Sequence, residues 1–489
     1  MNKYIGIDLG TSSVKILLVD TEGQIIKSVS REYPVSYPQS GWSEQSPEDW
    51  YNQTIDGIYE LLDGVDKESV KGISFGGQMH GLVLLDENDE VIRPAILWND
   101  GRTFKETAYL NEIIGQDSLM EYTANIAFAG FTAPKILWVK ENEPENFARI
   151  NKIMLPKDYL AYKLSGVFAT DYSDASGMLL LDVKNRCWSE KMCEICSVNI
   201  DTLPTLFESY EKIGTLLPEV ADKLGLDEIV IAIGAGDNAG AAIGTGISQS
   251  GDCNVSLGTS GTVFISQDTF VKNECGALHN FCHANGKYHL MGCILSAASC
   301  NKWWVEEILG SGDFRAEESG LEKLLGKNDV YFLPYLMGER TPHNDVDAKG
   351  AFIGMRPSTT RKEMTLSVLE GVAYALRDSV ELARQGGCKI EKTKVCGGGA
   401  KSKVWRQILA NVLGIPVVRP IIEEGPAYGG AILAMVASGE YKTVEDATSK
   451  LIKDKDTTYP DPQIAALYEK KYQAFKKLYP ALKNVYKEI

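Results

Sequence analysis

A Leu-Gly-Thr-Ser turn between two hydrophobic runs occurs twice in this chain, half its length apart. The first is Leu9-Gly10-Thr11-Ser12, preceded by Ile5-Gly6-Ile7-Asp8 and followed by Val14-Lys15-Ile16-Leu17-Leu18-Val19. The second is Leu257-Gly258-Thr259-Ser260, between Asn254-Val255-Ser256 and Gly261-Thr262-Val263-Phe264-Ile265. Each reads as strand, turn, strand. Glycine lets the backbone come close to a ligand, and such a turn points N–H and hydroxyl donors into one concavity that suits a phosphate. One glycine hairpin would be explained by turn sterics alone. Two copies predict two similar half-molecules with phosphates held between them.

The 489 residues suffice for several domains. A net charge of −16 argues against nucleic acid or an anionic membrane as the main partner, while leaving room for a local phosphate site. Met1-Asn2-Lys3-Tyr4 runs straight into a strand and no signal peptide is read there, so a cytoplasmic protein is expected. No apolar run has transmembrane length. The ten cysteines are scattered and read as reduced core thiols. Cys193-x-x-Cys196 has redox or zinc spacing but lacks a second pair. His279, Cys282 and His283, with Cys275 nearby, read as packed loop residues rather than a zinc site.

The first 85 residues read β-β-β-α-β. Ser46-Pro47-Glu48-Asp49 looks like a helix start, with Ser46 at N-cap and Pro47 at N1, and the helix runs to about Leu62. A strand at 70–75 leads into Gly76-Gly77-Gln78-Met79-His80-Gly81. A mainly helical stretch spans about 104–226. Strands then recur near 253–266, 276–284 and 287–294, with helices near 298–309, 361–386 and 402–413. The last segment reads as an amphipathic surface helix. The domain boundary is placed near 247, giving 1–247 and 248–489.

Several residues carry chemistry. Asp8 opens the first turn, where a carboxylate can hold a magnesium ion against phosphates or merely cap the turn. Asp237 follows Ile231-Ala232-Ile233-Gly234-Ala235-Gly236 and opens a small-residue helix. A lone acid at that strand end can accept the proton of an attacking hydroxyl; a plain helix N-cap is the alternative. Gly397-Gly398-Gly399-Ala400-Lys401-Ser402 joins a strand to a helix, where bare backbone can lie flat on an adenine or ribose. Neither a P-loop nor a dinucleotide fingerprint is present. The Gln78-Met79-His80 and Trp98-Asn99-Asp100 stretches together offer amides, an imidazole, an aromatic wall and an acid, as a polyhydroxyl ligand requires. His80 reads equally as a structural histidine.

Asp8-Leu9-Gly10-Thr11-Ser12, the second turn at 256–261, Gly236-Asp237-Asn238 and Gly397-Gly398-Gly399-Ala400 resemble the FGGY carbohydrate kinases along the whole chain. Gly130-x-Thr132-x-x-Lys135-Ile136-x-Trp138 resembles that family's first signature. The resemblance implies an α/β fold of two actin/hexokinase/Hsp70-like (ribonuclease H-like) domains with a cleft between them. Gly77-Gln78-Met79-His80-Gly81 and Gly338-Glu339-Arg340-Thr341-Pro342-His343 are similar to members that act on xylulose, whereas glycerol-specific members typically carry Arg-Glu at the Met79-His80 position. It further implies ATP- and Mg²⁺-dependent transfer to the 5-hydroxyl of D-xylulose, with Asp237 as general base. Met79, His80, Trp98, Asp237 and Asn238 would face the sugar. Gly10, Thr11, Ser12, Gly258, Thr259 and Ser260 would face the phosphates, and Gly398, Gly399, Ala400 and Ser402 the adenosine. Asp8 would lie near the metal. Kinases of ribulose, fuculose or gluconate share the implied fold. A non-enzymatic actin- or Hsp70-like ATPase is the reading from a different class. A homodimer is an expected assembly.

Overall fold

The computed structural model describes residues 1–227, 229–272 and 276–489. Its elements follow from the patterns above. In chain order, the ones that place the site are β1 (Lys3–Leu9), β2 (Ser13–Asp20), β3 (Ile25–Glu32), α1 (Pro47–Leu61), β4 (Val70–Gly77), α2 (Thr132–Asn142) and α3 (Pro156–Ser165). Next come β5 (Lys212–Thr215), β6 (Val230–Ala232), β7 (Ala235–Gly236) and α4 (Asp237–Gly244). The second half supplies β8 (Cys253–Leu257), β9 (Gly261–Gln267), β10 (His279–Cys282), β11 (Tyr288–Ile294), α5 (Arg361–Gln385), β12 (Thr393–Cys396), α6 (Lys403–Leu413), β13 (Val417–Pro420), α7 (Gly425–Ala437), β14 (Asp454–Thr458) and α8 (Pro462–Phe475).

Two mixed sheets result. The first runs β5-β6-β4-β1-β2-β3, with β7 adding to β4. The second runs β10-β11-β9-β8-β12-β13-β14. Apart from β10 and β7, which have no counterparts, they correspond: β1 and β8 each have an antiparallel hairpin partner on one side and a parallel strand on the other. Beyond the parallel strand comes another parallel strand and then an antiparallel edge. The two Leu-Gly-Thr-Ser turns therefore close equivalent hairpins, β1–β2 and β8–β9. The Gly76–Gly81 loop after β4 and the Gly397–Ser402 loop after β12 also occupy equivalent corners.

The period-2 alternation of β1 sorts its side chains between two cores. Ile5, Ile7 and Leu9 pack with Trp50, Ile55, Ile58 and Leu61 of α1. Tyr4, on the opposite face, packs with Ala427, Tyr428 and Ala431 of α7. Thus α7, late in the chain, lies on the first sheet. This approach is close: a Cβ at Gly6 would sit 1.9 Å from the Ala427 carbonyl oxygen. α7 also crosses α4, where a Cβ at Gly429 would sit 1.9 Å from the Gly240 carbonyl oxygen. The small residues of 234–246 are there because two helices meet backbone to backbone.

Three local expectations are refined. Ser46 is the N-cap of α1, but its side chain makes no capping hydrogen bond; Pro47 at N1 and the acids Glu48 and Asp49 mark the start instead. The helix that begins at Ala298 passes into a π-helical turn, Trp303–Ile308. The C-terminal amphipathic helix is more than a surface element. Tyr468, Tyr472 and Phe475 of α8 are buried in the second core, and the first two hydroxyls donate to Glu370 (2.7 Å) and Asp378 (2.6 Å) of α5.

Candidate functional site

Asp8 ends β1 and Asp237 opens α4, and their carboxylates lie close enough for the charge of one to act on the other. Burial, then repulsion from Asp237, pushes the Asp8 carboxyl up to about 7, against a smaller opposing pull from Lys15. Burial likewise pushes Asp237 up to about 6. The N-cap of α4 is Gly236 rather than the aspartate. One Asp237 oxygen, Oδ1, accepts from the Asn238 backbone N–H (2.6 Å) and side-chain amide (2.8 Å), while Oδ2 accepts no hydrogen bond among the described residues. The Asp8 carboxylate accepts none either. A pair of half-desolvated acids with oxygens to spare provides a proton acceptor and hard oxygen ligands for a divalent cation.

Below Asp237 lies a polar support that the sequence patterns did not reveal. The Gly236 N–H donates to Ser173 Oγ (3.2 Å), and the Ser173 hydroxyl donates to Asp171. Asp171 is ion-paired with Lys157 (2.9 Å), which also holds Asp158 (2.6 Å) and lies 3.6 Å from Asp174. All four side chains have 0% exposure. Their sequence signal is faint, because Lys157-Asp158 sits within α3 and Asp171 and Asp174 lie in the two short elements that follow.

The Met79-His80 loop packs directly on the Asp237 segment. A Cβ at Gly236 would stand 2.9 Å from Met79 Cγ, and one at Gly177 would meet the His80 ring at 2.5 Å. His80 adopts φ 69°, a left-handed conformation that costs a non-glycine residue and persists only where its surroundings hold it. Thr132 Oγ1 (3.2 Å) and Lys135 Nζ (2.8 Å) do so by donating to the His80 carbonyl. These are the two polar residues of the Gly130-x-Thr132-x-x-Lys135 pattern. His80 Nδ1 lies 2.7 Å from the Gly177 carbonyl oxygen, so Nδ1 carries the hydrogen and Nε2 is an acceptor. Burial holds the ring at about 3, hence neutral. It stacks on Phe131 with centroids 4.6 Å apart.

The first turn is held by amides. Gln45 Nε2 donates to the Thr11 carbonyl (2.6 Å), Thr11 Oγ1 donates to Gln78 Oε1 (3.2 Å), and Gln78 Nε2 donates to Gln45 Oε1 (3.2 Å). Trp98 is 47% exposed, and its indole N–H donates to Thr11 Oγ1 (3.0 Å). The Thr11 hydroxyl is thus engaged inside the protein. The Gly10 N–H donates to the Ser13 carbonyl (3.0 Å) and the Gly10 carbonyl accepts from the Tyr33 hydroxyl (2.5 Å), while Ser12 is exposed. Asp100 is not part of the wall. It is buried, paired with Arg102 (2.7 Å) and accepting from the Ser43 N–H (2.6 Å).

In the second half, a cleft of about 760 Å³ is lined by Gly258, Thr259, Gly398, Gly399, Lys401 and Ser402, among others. Ser260 is exposed at the same turn. A Cβ at Gly398 would meet nothing within 4 Å, so that backbone is open to the cleft. Ala400 differs from expectation: its side chain is fully buried in the second core and does not line the cleft. Ser402 lines it, although its hydroxyl bonds to Glu318 (2.7 Å) and caps α6.

The cysteine motifs fall outside this arrangement. Cys193 and Cys196 are buried free thiols on one short helix, and burial raises them to about 11 and about 12. His283 bonds to the Ile247 carbonyl (2.9 Å), and His279 stacks on Phe281. Cys275 lies outside the described residues. Among the described residues, no group of three or more His, Cys, Asp or Glu side chains is placed to hold a metal ion.

The family model for the FGGY carbohydrate kinase N-terminal domain matches residues 3–244, and that for the C-terminal domain matches 253–438. The chain belongs to the FGGY family of carbohydrate kinases. This kinase is 41% identical to the xylulose kinase of Escherichia coli (strain K12), over 98% of its own length and 99% of that protein. It superposes on the crystal structure of a "xyloylose kinase" from Brucella ovis with a TM-score of 0.94 at 38% identity, covering 99% of this chain and 100% of that one. It also superposes on a gluconate kinase from Lactobacillus acidophilus, with a TM-score of 0.95 at 25% identity, covering 100% of this chain and 99% of that one. The two-domain sugar-kinase fold of this FGGY kinase accounts for the paired sheets.

Proposed function

We propose that this FGGY kinase transfers the γ-phosphoryl group of ATP to the 5-hydroxyl of D-xylulose. The observation that carries the reading is the packing of Met79-His80 against the segment that presents Asp237, which puts a neutral imidazole acceptor beside a half-desolvated base. The similarity to the xylulose kinase of Escherichia coli over nearly the whole of both chains supports the choice of sugar.

In this reading Asp237 Oδ2 takes the proton of the 5-hydroxyl as that oxygen bonds to the γ-phosphorus and the bond to the ADP oxygen breaks. Asn238 fixes the carboxylate through Oδ1. His80 Nε2 accepts from a sugar hydroxyl, and Met79 and Trp98 give apolar walls. The turn at 10–12, through donors other than the engaged Gly10 N–H and Thr11 hydroxyl, and the donors at 258–260 receive the phosphates, and the open backbone at 398–399, with Ser402 at the rim, receives the adenosine. Ala400 contributes from beneath as packing. The spare oxygens and mutual repulsion of Asp8 and Asp237 fit a Mg²⁺ ion held by Asp8, directly or through water, which would neutralise charge on the β- and γ-phosphates. The acceptor and the base would belong to 1–247 and the nucleotide to 248–489. We place the enzyme in the cytoplasm, in keeping with its scattered cysteines. As a homodimer it would cover exposed Phe104, Tyr109 and Ile113, which sedimentation velocity checks.

The test is a coupled ADP assay with D-xylulose, D-ribulose, L-fuculose, D-gluconate and glycerol. D-Xylulose should give the highest kcat/KM. Sugar-independent ATP turnover that rises with peptide would instead favour the chaperone-like reading.

A further inference from the structure

One cation near the proposed sugar site rests on an aromatic ring and lacks a hydrogen-bonding partner among the described residues. Arg340 is half-buried, yet among the described residues its guanidinium makes no ion pair and no hydrogen bond. Its Cζ stands 4.8 Å from the centroid of the Phe128 ring. Phe128 packs on Phe131, and Phe131 stacks on His80. The charge of Arg340 is felt by both His80 and His279, which are already neutral through burial. Its guanidinium nitrogens are not sealed from the surface, so their N–H groups are free to donate to a ligand.

The chain segment behind it is pinned. Thr341 N–H donates to the Cys293 carbonyl (2.9 Å), and Thr341 Oγ1 both accepts from the Cys293 N–H (3.0 Å) and donates to the Ala277 carbonyl (2.9 Å). Glu339, 2% exposed, accepts from the backbone N–H groups of Leu295 (3.1 Å) and Arg340 (2.7 Å). The Gly338–Thr341 loop is thus fastened to the end of β11 in the second half, while its arginine rests on an aromatic ring of the first. Arg340 is not among the residues lining the nucleotide cleft, nor among the charges acting on Asp237. In the series of contacts from the Asp237 segment through Met79, His80, Phe131 and Phe128, Arg340 comes last.

Resting on the function proposed above, we propose that Arg340 is a specificity-determining residue for the acceptor. Its N–H groups donate to the sugar oxygens farthest from the transferred phosphoryl group, the C1 hydroxyl and C2 carbonyl of a ketose. The second half thereby contributes to acceptor recognition as well as to nucleotide binding.

The experiment compares D-xylulose with 1-deoxy-D-xylulose on the wild type, Arg340→Met and Arg340→Lys. In the wild type, removing the C1 oxygen should lower kcat/KM by about 10- to 100-fold, the span expected for a hydrogen bond to a charged group. Arg340→Met should lose a similar factor on D-xylulose, treat the two sugars alike and keep its KM for ATP within about twofold. Arg340→Lys, which retains a cation, should recover part of the discrimination, and it serves if the methionine variant folds poorly. Equal losses on both sugars in both variants, or a raised KM for ATP with an unchanged KM for sugar, would overturn the proposal. A wild type that prefers D-gluconate, with that preference lost in Arg340→Met, would overturn the xylulose reading but support the arginine's role through its carboxylate.

Discussion

Asp237 and Asp8 are held in conditions that cost the fold something, and that cost defines what to measure. Asp237→Asn keeps the shape and the Asn238 contact but cannot take a proton. Turnover should fall by roughly 10²- to 10⁴-fold with sugar and ATP still binding, as read by steady-state kinetics and calorimetry. Asp8 is raised to about 7 from an ordinary 3.8. A raised folded-state value means that the stabilising contribution of its proton is complete below the unfolded value and is lost as pH rises through about 7. Asp8→Asn should therefore raise the melting temperature at pH 8 by roughly 1–3 °C while suppressing activity, and show no such gain at pH 4. For the wild type, kcat/KM should climb with pH through about 6 and about 7 as the two carboxyls ionise, then level off. His80, held near 3, adds no limb of its own. His80→Ala should raise the KM for sugar about 10-fold and leave that for ATP unchanged, since it removes an acceptor from the sugar side only. A shift in the ATP constant instead would misplace the imidazole.

Among the elements, two glycines separate packing from binding. Gly429→Ala drives a methyl into the Gly240 carbonyl where α4 and α7 cross, a clash that only backbone movement relieves. It should cost about 3 kcal/mol or more in denaturant titrations. Gly398→Ala points into open space over the nucleotide cleft, so stability should hold while KM for ATP rises about 5- to 10-fold through crowding. The strands, the long α5 and the glycine loops are legible from sequence because their signals are local: short apolar runs, a long helical stretch, Gly before a helix. What escaped is non-local. The Lys157 cluster beneath Gly236 draws on residues with no shared periodicity. The Gln45–Thr11–Gln78 ring joins three separate segments. Ala400 turns its methyl into the core, and a Gly-Gly-Gly-Ala string does not tell which of its members does so. Asp100 looked like part of the sugar wall until Arg102, two residues on, claimed it.

At the level of the whole molecule, the Met79-His80 loop and the Gly398-Gly399 cleft leave different sheets. With sugar at one and nucleotide at the other, as proposed, the two halves should close on both ligands and shut water out. Small-angle scattering should show a smaller radius of gyration with D-xylulose plus a non-hydrolysable ATP analogue than with either alone; an unchanged profile at saturation would count against closure. The ion pair between Lys15, beside the first turn, and Glu424, just before α7, ties the early and late parts of the chain together at that point. The loop after β4, which carries Met79 and His80, and the loop after β12, which carries Gly398 and Gly399, leave their sheets at the same corner. Under the function proposed above, one corner meets the sugar through side chains and the other meets the nucleotide through bare backbone. Substitutions at Met79 and His80 should then alter the choice of acceptor without touching the ATP side.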